Sequence, residues 1–188
     1  MCIRDRSKIP CDRLPEALPG EGAFAASDTN IAISGDSCWV ASNKGRIYFS
    51  ADKGETWEVR QSPITSATDS FGLYSLAFYD ADTGYAAGGD YTNPEGNLSN
   101  KTSTSDGGET WMLQAQGEAP GYLSCVQYVP GREGRDLVGV SFNGIYYSKD
   151  SGQTWNLLDP EGFYSIRFTS DSVAVASGRG RIAKLRFK

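Results

Sequence analysis

The chain has 188 residues, with 18 Lys and Arg against 23 Asp and Glu, a net charge of −5 at pH 7 and no His. Because no basic stripe is present to displace counterions from phosphates, the composition disfavours nucleic-acid binding. The lack of His excludes Ser-His-Asp and Cys-His nucleophiles and His-ligated metal sites, and no apolar run approaches the roughly 20 residues of a membrane span. With 22 Gly and 8 Pro, the chain is instead typical of many short strands joined by turns.

The first residues, 1–6, read like the translation of a sequencing-adapter end. We exclude them from fold reasoning as an artefact and expect the natural N-terminus to be missing. Residues 7–29 form a lead-in segment before the first strand. Outside segment 1–6 the cysteines are Cys11, Cys38 and Cys125, an odd number without C-x-x-C spacing, which disfavours a zinc site and leaves their disulfide state open.

Four units of strand-like runs follow the lead-in, at 30–62, 71–116, 121–159 and 162–188. The first three units contain four runs each, at 30–34, 38–42, 46–51 and 56–61, at 73–79, 84–88, 101–105 and 110–114, and at 122–129, 136–141, 145–149 and 154–158. The fourth contains three, at 163–168, 173–177 and 181–187. A repeat of about 45 residues with four strands has the size of a propeller blade. The sequence therefore predicts an all-β fold, a β-propeller fragment of about four blades with the last blade one strand short.

One octapeptide, S/T-x-D-x-G-x-T-W, spans the hairpin between the third and fourth strands of each complete unit, at 50–57, 104–111 and 148–155. Its Asp can accept hydrogen bonds from the turn, its Gly can adopt positive φ, and its Trp can pack between sheets. We interpret these residues as structural, in preference to catalytic acids or calcium ligands. They are Asp52, Gly54 and Trp57, Asp106, Gly108 and Trp111, and Asp150, Gly152 and Trp155.

The octapeptide is similar to the Asp-box of BNR-repeat propellers, which include sialidases, sortilin-type receptors, xyloglucan-cleaving hydrolases and photosystem II stability/assembly factor-like proteins. The segments LPEALPGEGAFAAS at 14–27, FGLYSLAF at 71–78, GGDY at 88–91 and GRIAK at 180–184 most resemble bacterial members of the last group. The resemblance covers residues 7–188. It implies the C-terminal half of such a propeller, located in the periplasm or outside a bacterial cell.

The resemblance leaves two functions open. The first is a non-catalytic propeller that serves as a protein-binding or assembly module, with a protein or peptide as its partner. The alternative is a glycoside hydrolase, sialidase-like or xyloglucanase-like, with a glycan as its ligand, and it needs two carboxylates at a fixed separation that sequence spacing does not reveal. Because the sequence shows no G-x-G-x-x-G after a strand, no P-loop and no metal or haem ligand set, we expect no cofactor and assign no catalytic residue.

Hairpin parity predicts where a binding site lies. Successive turns of an up-and-down sheet alternate between two faces, so the face away from the octapeptides collects the loops between second and third strands and the connections between units. The loop at 90–100 is the only one much longer than its counterparts, and such loops carry either function or a tolerated insertion. Because Tyr and Arg dominate interface energies and opposite charges orient partners, the candidate binding residues are Asp90, Tyr91, Lys44, Arg179 and Arg181.

Overall fold

A computed structural model describes residues 9–24, 29–65 and 68–187 of the chain. Over these ranges the strands form four antiparallel sheets, or blades, each with its strands in chain order. Blade 1 contains β1 (Ile31–Ser34), β2 (Ser37–Ala41), β3 (Arg46–Ser50) and β4 (Glu58–Gln61). Blade 2 contains β5 (Phe71–Phe78), β6 (Gly84–Asp90), β7 (Lys101–Thr104) and β8 (Met112–Leu113). Blade 3 contains β9 (Cys125–Tyr128), β10 (Leu137–Ser141), β11 (Gly144–Ser148) and β12 (Asn156–Asp159), and blade 4 contains β13 (Ser165–Ser170), β14 (Val173–Gly178) and β15 (Arg181–Arg186).

The predicted all-β propeller of four blades, the last with three strands, is confirmed. The first strands of the blades lie side by side in chain order. One short 3-10 helix, Cys11–Arg13, occurs in the lead-in, and within the described ranges no helix has the length and apolar character needed to cross a membrane. Residues 1–6, which we interpret as an artefact, lie outside the described residues. Residues 25–27 of the segment at 14–27 also lie outside them.

Several strands are shorter than the sequence predicts, and the clearest cases are β8 and β9. β8 is a two-residue strand, whereas the pattern indicated residues 110–114. β9 begins at Cys125 and not at residue 122. The amides of Tyr122 and Leu123 donate to the carbonyls of Pro94 and Gly88 in blade 2, at 2.9 Å each, so these residues join two blades instead of extending the sheet of blade 3.

The hydrophobic core is divided among three interfaces between neighbouring blades. Alternate residues of each strand point to one neighbour, which is how a sheet packed on another sheet builds its core. The fully buried members include Trp39, Ile47 and Leu76 between blades 1 and 2, Tyr85, Leu123 and Leu137 between blades 2 and 3, and Val140, Phe163 and Ile166 between blades 3 and 4. Within the described ranges no such cluster joins blade 4 to blade 1.

The two end blades therefore each leave one sheet face uncovered. On blade 1, Ile31 and Ile33 are 54% and 72% exposed, while Ala32 between them packs towards blade 2. On blade 4, Ile182 is 79% exposed, while Ala183 packs towards blade 3. The uncovered face of blade 1 is therefore apolar, whereas that of blade 4 combines Val175 and Ile182 with the exposed charged side chains of Lys184 and Arg186.

The three octapeptide hairpins, or Asp-boxes, share one pattern of hydrogen bonds. In blade 1, Asp52 Oδ1 accepts from Ser50 Oγ and from the amide of Thr56 at 2.8 Å, and Asp52 Oδ2 accepts from Thr56 Oγ1 at 2.6 Å. Asp106 and Asp150 make the corresponding bonds in blades 2 and 3. Both carboxylate oxygens of each Asp are therefore occupied by the hairpin to which it belongs.

A glycine and a tryptophan complete each Asp-box. The glycines adopt φ between +84° and +90°, a left-handed conformation that side chains disfavour. Each glycine carbonyl accepts the indole N–H of the tryptophan three residues later, and the pairs are Gly54 with Trp57 at 2.8 Å, Gly108 with Trp111 at 3.1 Å and Gly152 with Trp155 at 3.1 Å.

Candidate functional site

The two faces of the propeller carry different elements. On the Asp-box face, each Asp-box contacts the turn between the first and second strands of its own blade, through amides of Lys53, Gly107 and Ser151 that donate to carbonyls of Asp36, Asp82 and Arg135 at 2.8 to 2.9 Å. The opposite face, which we call the connector face, carries the loops between second and third strands and the connections between blades. The lead-in also lies there, because Gly22 and Asn43 exchange hydrogen bonds at 2.9 Å.

Each connection between blades passes very close to a loop of the preceding blade. At the point of contact a glycine lies at the end of the connection or at the start of the next strand, and a methyl group built there would collide with a backbone oxygen. Measured from that methyl carbon to the carbonyl oxygen, the distance is 2.6 Å for Gly72 and Asn43, 2.1 Å for Gly121 and Pro94, and 2.1 Å for Gly162 and Phe142. Glycine is therefore required at these positions by the close approach of two backbones.

The long loop after β6 packs on the connection between blades 2 and 3. The carbonyl of Pro94 accepts the amide of Tyr122 at 2.9 Å. Asn97 and Gly117 exchange two hydrogen bonds, at 3.0 and 3.1 Å. The loop is thus an ordered part of the connector face.

A buried lysine donates hydrogen bonds to the connection between blades 2 and 3. Lys101, at the start of β7, is fully buried, and its Nζ donates to Asn100 Oδ1 at 3.0 Å and to the carbonyls of Glu118 and Pro120 at 2.9 and 2.6 Å. Burial lowers the pKa of Lys101 to about 8, because desolvation penalises its charged form. Its three donors are used within the fold.

Six aromatic side chains cluster at the connector face, and two of them, Tyr74 and Tyr122, are buried, at 1% and 4% exposure. Ring centroids lie 4.4 Å apart for Phe24 and Tyr74, 5.8 Å for Tyr74 and Tyr122, and 5.3 Å for Tyr122 and Phe142. The outermost rings remain 40 to 43% exposed. This aromatic tract, which joins the lead-in to blades 2, 3 and 4, consists of Phe24, Tyr74, Tyr91, Tyr122, Phe142 and Tyr164.

A pocket of about 270 Å³ opens within the aromatic tract and is lined by Phe24, Tyr122, Ser124, Phe142 and Tyr164. None of these residues is charged. Ser124 Oγ is engaged by main-chain carbonyls at 2.8 and 3.0 Å, whereas the hydroxyl groups of Tyr122 and Tyr164 have no hydrogen-bond partner among the described residues. Burial raises the pKa of Tyr122 to about 12, so its hydroxyl stays a donor at neutral pH. This aromatic pocket therefore offers apolar rings and free hydroxyl groups.

Two of the predicted binding residues adjoin the aromatic tract. The ring of Tyr91 lies 6.5 Å from that of Phe24. Asp90 accepts hydrogen bonds from the hydroxyl and the amide of Thr92 at 2.7 and 2.8 Å, and these bonds lower the pKa of its carboxyl group. Asp90 thus places a negative charge beside the aromatic rings at neutral pH.

The other three predicted residues lie elsewhere on the connector face. Arg181 pairs with Glu161 in blade 4, and the exposed Arg179 occupies the turn between β14 and β15. Lys44 lies in blade 1, with its Nζ 3.4 Å from the carboxylate of Asp69. The structure therefore does not gather the five candidates into one site.

A second pocket, of about 530 Å³, lies between the lead-in and blade 1, where Lys44 is part of the lining. Its other charged residue from blade 1, Arg46, is almost buried. The guanidinium of Arg46 donates to Glu21 Oε2 at 2.7 Å and to the carbonyl of Glu16 at 3.2 Å. Arg46 is therefore held by the lead-in, and the other polar side chains of this lining are those of Glu16, Lys44 and Gln61.

Sequence reasoning missed the residues that form the aromatic pocket. The signal was present as a repeated pattern of Gly, two apolar residues and Ser at 72–75, 121–124 and 162–165. It places Tyr74 within the first strand of blade 2, and Tyr122 and Tyr164 just before the first strands of blades 3 and 4. Phe142 had no comparable signal, since it occupies an ordinary two-residue turn between β10 and β11.

Comparison with known proteins supports the fold. The BNR/Asp-box repeat family model matches residues 146–157, which include the whole third Asp-box. A structure described as YCF48 bound to D1 peptide has 19% identity, covers 88% of this chain and 52% of that chain, and has a TM-score of 0.57. The GH74 enzyme of Niastella koreensis has 18% identity, covers 81% and 27%, and has a TM-score of 0.58. The computationally designed Ika4 protein has 10% identity, covers 88% and 96%, and has a TM-score of 0.56.

These similarities concern the fold, because all the identities are low. The chain spans about half the length of the YCF48 chain. A search of curated proteins finds no match. The three Asp-boxes, the four antiparallel blades and the family match together identify the chain as a β-propeller built from BNR/Asp-box repeats.

Proposed function

We propose that the chain is a non-catalytic binding or assembly module that takes up a peptide segment of a protein partner on its connector face. The observation that carries the proposal is the aromatic tract with its open pocket. Clustered, partly exposed aromatic groups around a concave site mark binding surfaces. The rigid connection between blades 2 and 3, fastened by Lys101, holds these rings in place.

Two further points support a peptide as the ligand. YCF48, whose fold is similar, is described as bound to a peptide. In addition, large Tyr and Phe side chains are the groups that anchor protein interfaces. From the sequence resemblance we also propose a location in the periplasm or outside a bacterial cell.

The glycoside hydrolase alternative requires a carboxylic acid with a raised pKa, so that it can protonate the leaving group. In the described part of the chain, every carboxyl group with a clearly shifted pKa has it lowered, because hydrogen bonds from hydroxyl and amide groups favour the charged form. No observation at the connector face therefore favours hydrolysis over binding.

The proposal is tested by selecting phage-displayed random peptides on the immobilised chain. We expect enriched peptides whose affinity falls roughly tenfold or more in Phe142→Ala, since anchor residues of interfaces cost that much when truncated. Met112→Ala is the matched control, because Met112 is 66% exposed on β8 and lies outside the aromatic tract. If no peptide is enriched, or if the enriched peptides bind Phe142→Ala as well as the unchanged chain, the proposal is wrong.

A further inference from the structure

The lining of the aromatic pocket restricts the chemistry of the peptide that it can hold. It combines flat apolar rings, from Tyr122, Phe142 and Tyr164, with two unpartnered tyrosine hydroxyls. A segment in the polyproline II conformation presents flat proline rings and backbone carbonyls without internal hydrogen bonds. Proline rings pack on aromatic rings, and tyrosine hydroxyls donate to such carbonyls, so the two surfaces are complementary.

The charge beside the pocket restricts the ligand further. Asp90 lies at the start of the loop that carries Tyr91, and Glu95 lies within it. Glu95 Oε1 accepts from Asn143 Nδ2 at 2.8 Å, which brings its carboxylate next to Phe142. Asp90 therefore lies at the Tyr91 end of the aromatic tract, whereas Glu95 lies beside the blade 3 turn that carries Phe142.

On the connector face, most of the described cations are engaged with other groups, and Lys44 is paired with Asp69 at 3.4 Å. Lys101 is fully buried and uses its donors on three oxygen atoms. Arg181 is paired with Glu161, and Arg179 lies at the turn in blade 4. The rim beside Asp90 and Glu95 is thus the acidic end of the site, and it favours a basic group on the ligand.

We infer that the aromatic pocket binds a proline-rich segment in the polyproline II conformation, with a basic side chain of the ligand beside Asp90 and Glu95. The inference rests on the proposed function and specifies the chemistry of its peptide. Proline rings pack against the exposed rings of Phe142 and Tyr164, and the tyrosine hydroxyls that have no partner among the described residues donate to the carbonyls of the ligand. The preformed polyproline II helix loses little conformational entropy on binding, which favours it over a flexible segment.

A sugar ligand fits the same pocket less well. Sugar hydroxyls donate as well as accept hydrogen bonds, and carboxylate, amide or guanidinium groups usually hold them. The described lining residues include none of these groups.

The inference is tested by calorimetry with a synthetic oligoproline peptide that ends in arginine. We expect binding to weaken by roughly tenfold or more in Phe142→Ala and severalfold in Tyr164→Phe, which removes only a hydroxyl group. A control peptide with alternate prolines replaced by alanine should bind severalfold more weakly to the unchanged chain. Met112→Ala should bind the oligoproline as the unchanged chain does.

The charge is tested with the double variant Asp90→Asn and Glu95→Gln. It should weaken binding of the arginine peptide severalfold and leave a glutamine-ended peptide unaffected, and this difference should shrink at high salt. If the alanine-substituted peptide binds as tightly as the oligoproline, the proline requirement is wrong. If the double variant weakens the arginine-ended and glutamine-ended peptides equally, the requirement for a basic group is wrong. If phage selection yields proline-free peptides that still depend on Phe142, the inference fails and the proposed function stands. If no peptide binds, both fail.

Discussion

The indole N–H of Trp39 in blade 1 donates to the carbonyl oxygen of Gly107 in the Asp-box of blade 2, at 2.7 Å. The guanidinium of Arg60 donates to the same oxygen at 2.7 Å. At the next interface the hydroxyl of Tyr85 reaches the carbonyl of Gly152 in the Asp-box of blade 3, at 3.1 Å. An Asp-box therefore braces its own hairpin and also receives hydrogen bonds from the preceding blade.

The first prediction concerns the Asp-box tryptophan. Trp111 is 8% exposed and packs with Trp39 and Phe78 between blades 1 and 2. Trp111→Ala should lower the free energy of unfolding by about 3 to 5 kcal/mol, because it leaves a large cavity. Glu109→Ala, at an exposed variable position of the same Asp-box, should change it by no more than about 0.5 kcal/mol. Urea denaturation measures both, and similar effects would contradict the structural role of the motif.

The second prediction concerns stability in acid. A hydrogen bond from a threonine hydroxyl, followed by amide bonds, lowers the pKa of Asp52 and Asp106 to about 2, whereas an unfolded Asp has a pKa of about 4. The stabilisation is therefore complete above pH 4 and is lost as the pH falls towards 2. Urea midpoints measured across this range should decline. In Asp106→Asn the decline should be shallower, and an unchanged slope would show that this carboxylate does not contribute.

The third prediction concerns Lys101. Its pKa of about 8 lies below the value of about 10.4 in an unfolded chain, so between pH 8 and pH 10 the unfolded state binds more protons. Stability from this group should therefore rise with pH in that window. Lys101→Met should be less stable at pH 7, because three oxygen atoms lose their donor. The difference between the two proteins should widen from pH 8 to pH 10, and a constant difference would contradict the lowered pKa.

The fourth prediction concerns the uncovered faces of the end blades. Exposed apolar sheet faces and unpaired edge strands promote association, so the chain should self-associate at micromolar concentrations in sedimentation velocity experiments. Ile33→Asp and Ile182→Asp should each reduce this association. Leu98→Asp is the control, since Leu98 is 66% exposed on the connector-face loop. A monodisperse monomer, or equal effects of all three substitutions, would argue against association through the end faces.

The sequence predicts those features whose partners are close along the chain. The bonds of Asp52 reach no further than Thr56, and the repetition of this short motif indicated the hairpins, while the strand-like runs indicated the number of blades. The predicted strand ends are less accurate where a backbone amide donates outside its own sheet. The amide of Tyr122 is an example, because its acceptor, Pro94, belongs to another blade.

The candidate site is harder to predict because its contacts cross between blades. Phe24 and Tyr74 are fifty residues apart in sequence, yet their rings are 4.4 Å apart. Lys101 looks like an ordinary exposed lysine in a polar segment, and its burial depends on carbonyls 17 and 19 residues further along the chain. No local sequence pattern distinguishes a lysine that is buried by a later segment of the chain.

The close contacts of Gly72, Gly121 and Gly162 bear on how such a chain could be recombined. Each glycine lies at the beginning of one blade but is shaped by the loop in the middle of the blade before it. A single sheet moved into another propeller would separate these matched halves and force a collision between backbones. The module that can be transferred therefore begins in the loop between the second and third strands of one blade and ends in the same loop of the next blade. Chimaeric propellers joined within these loops should fold better than chimaeras joined between two sheets.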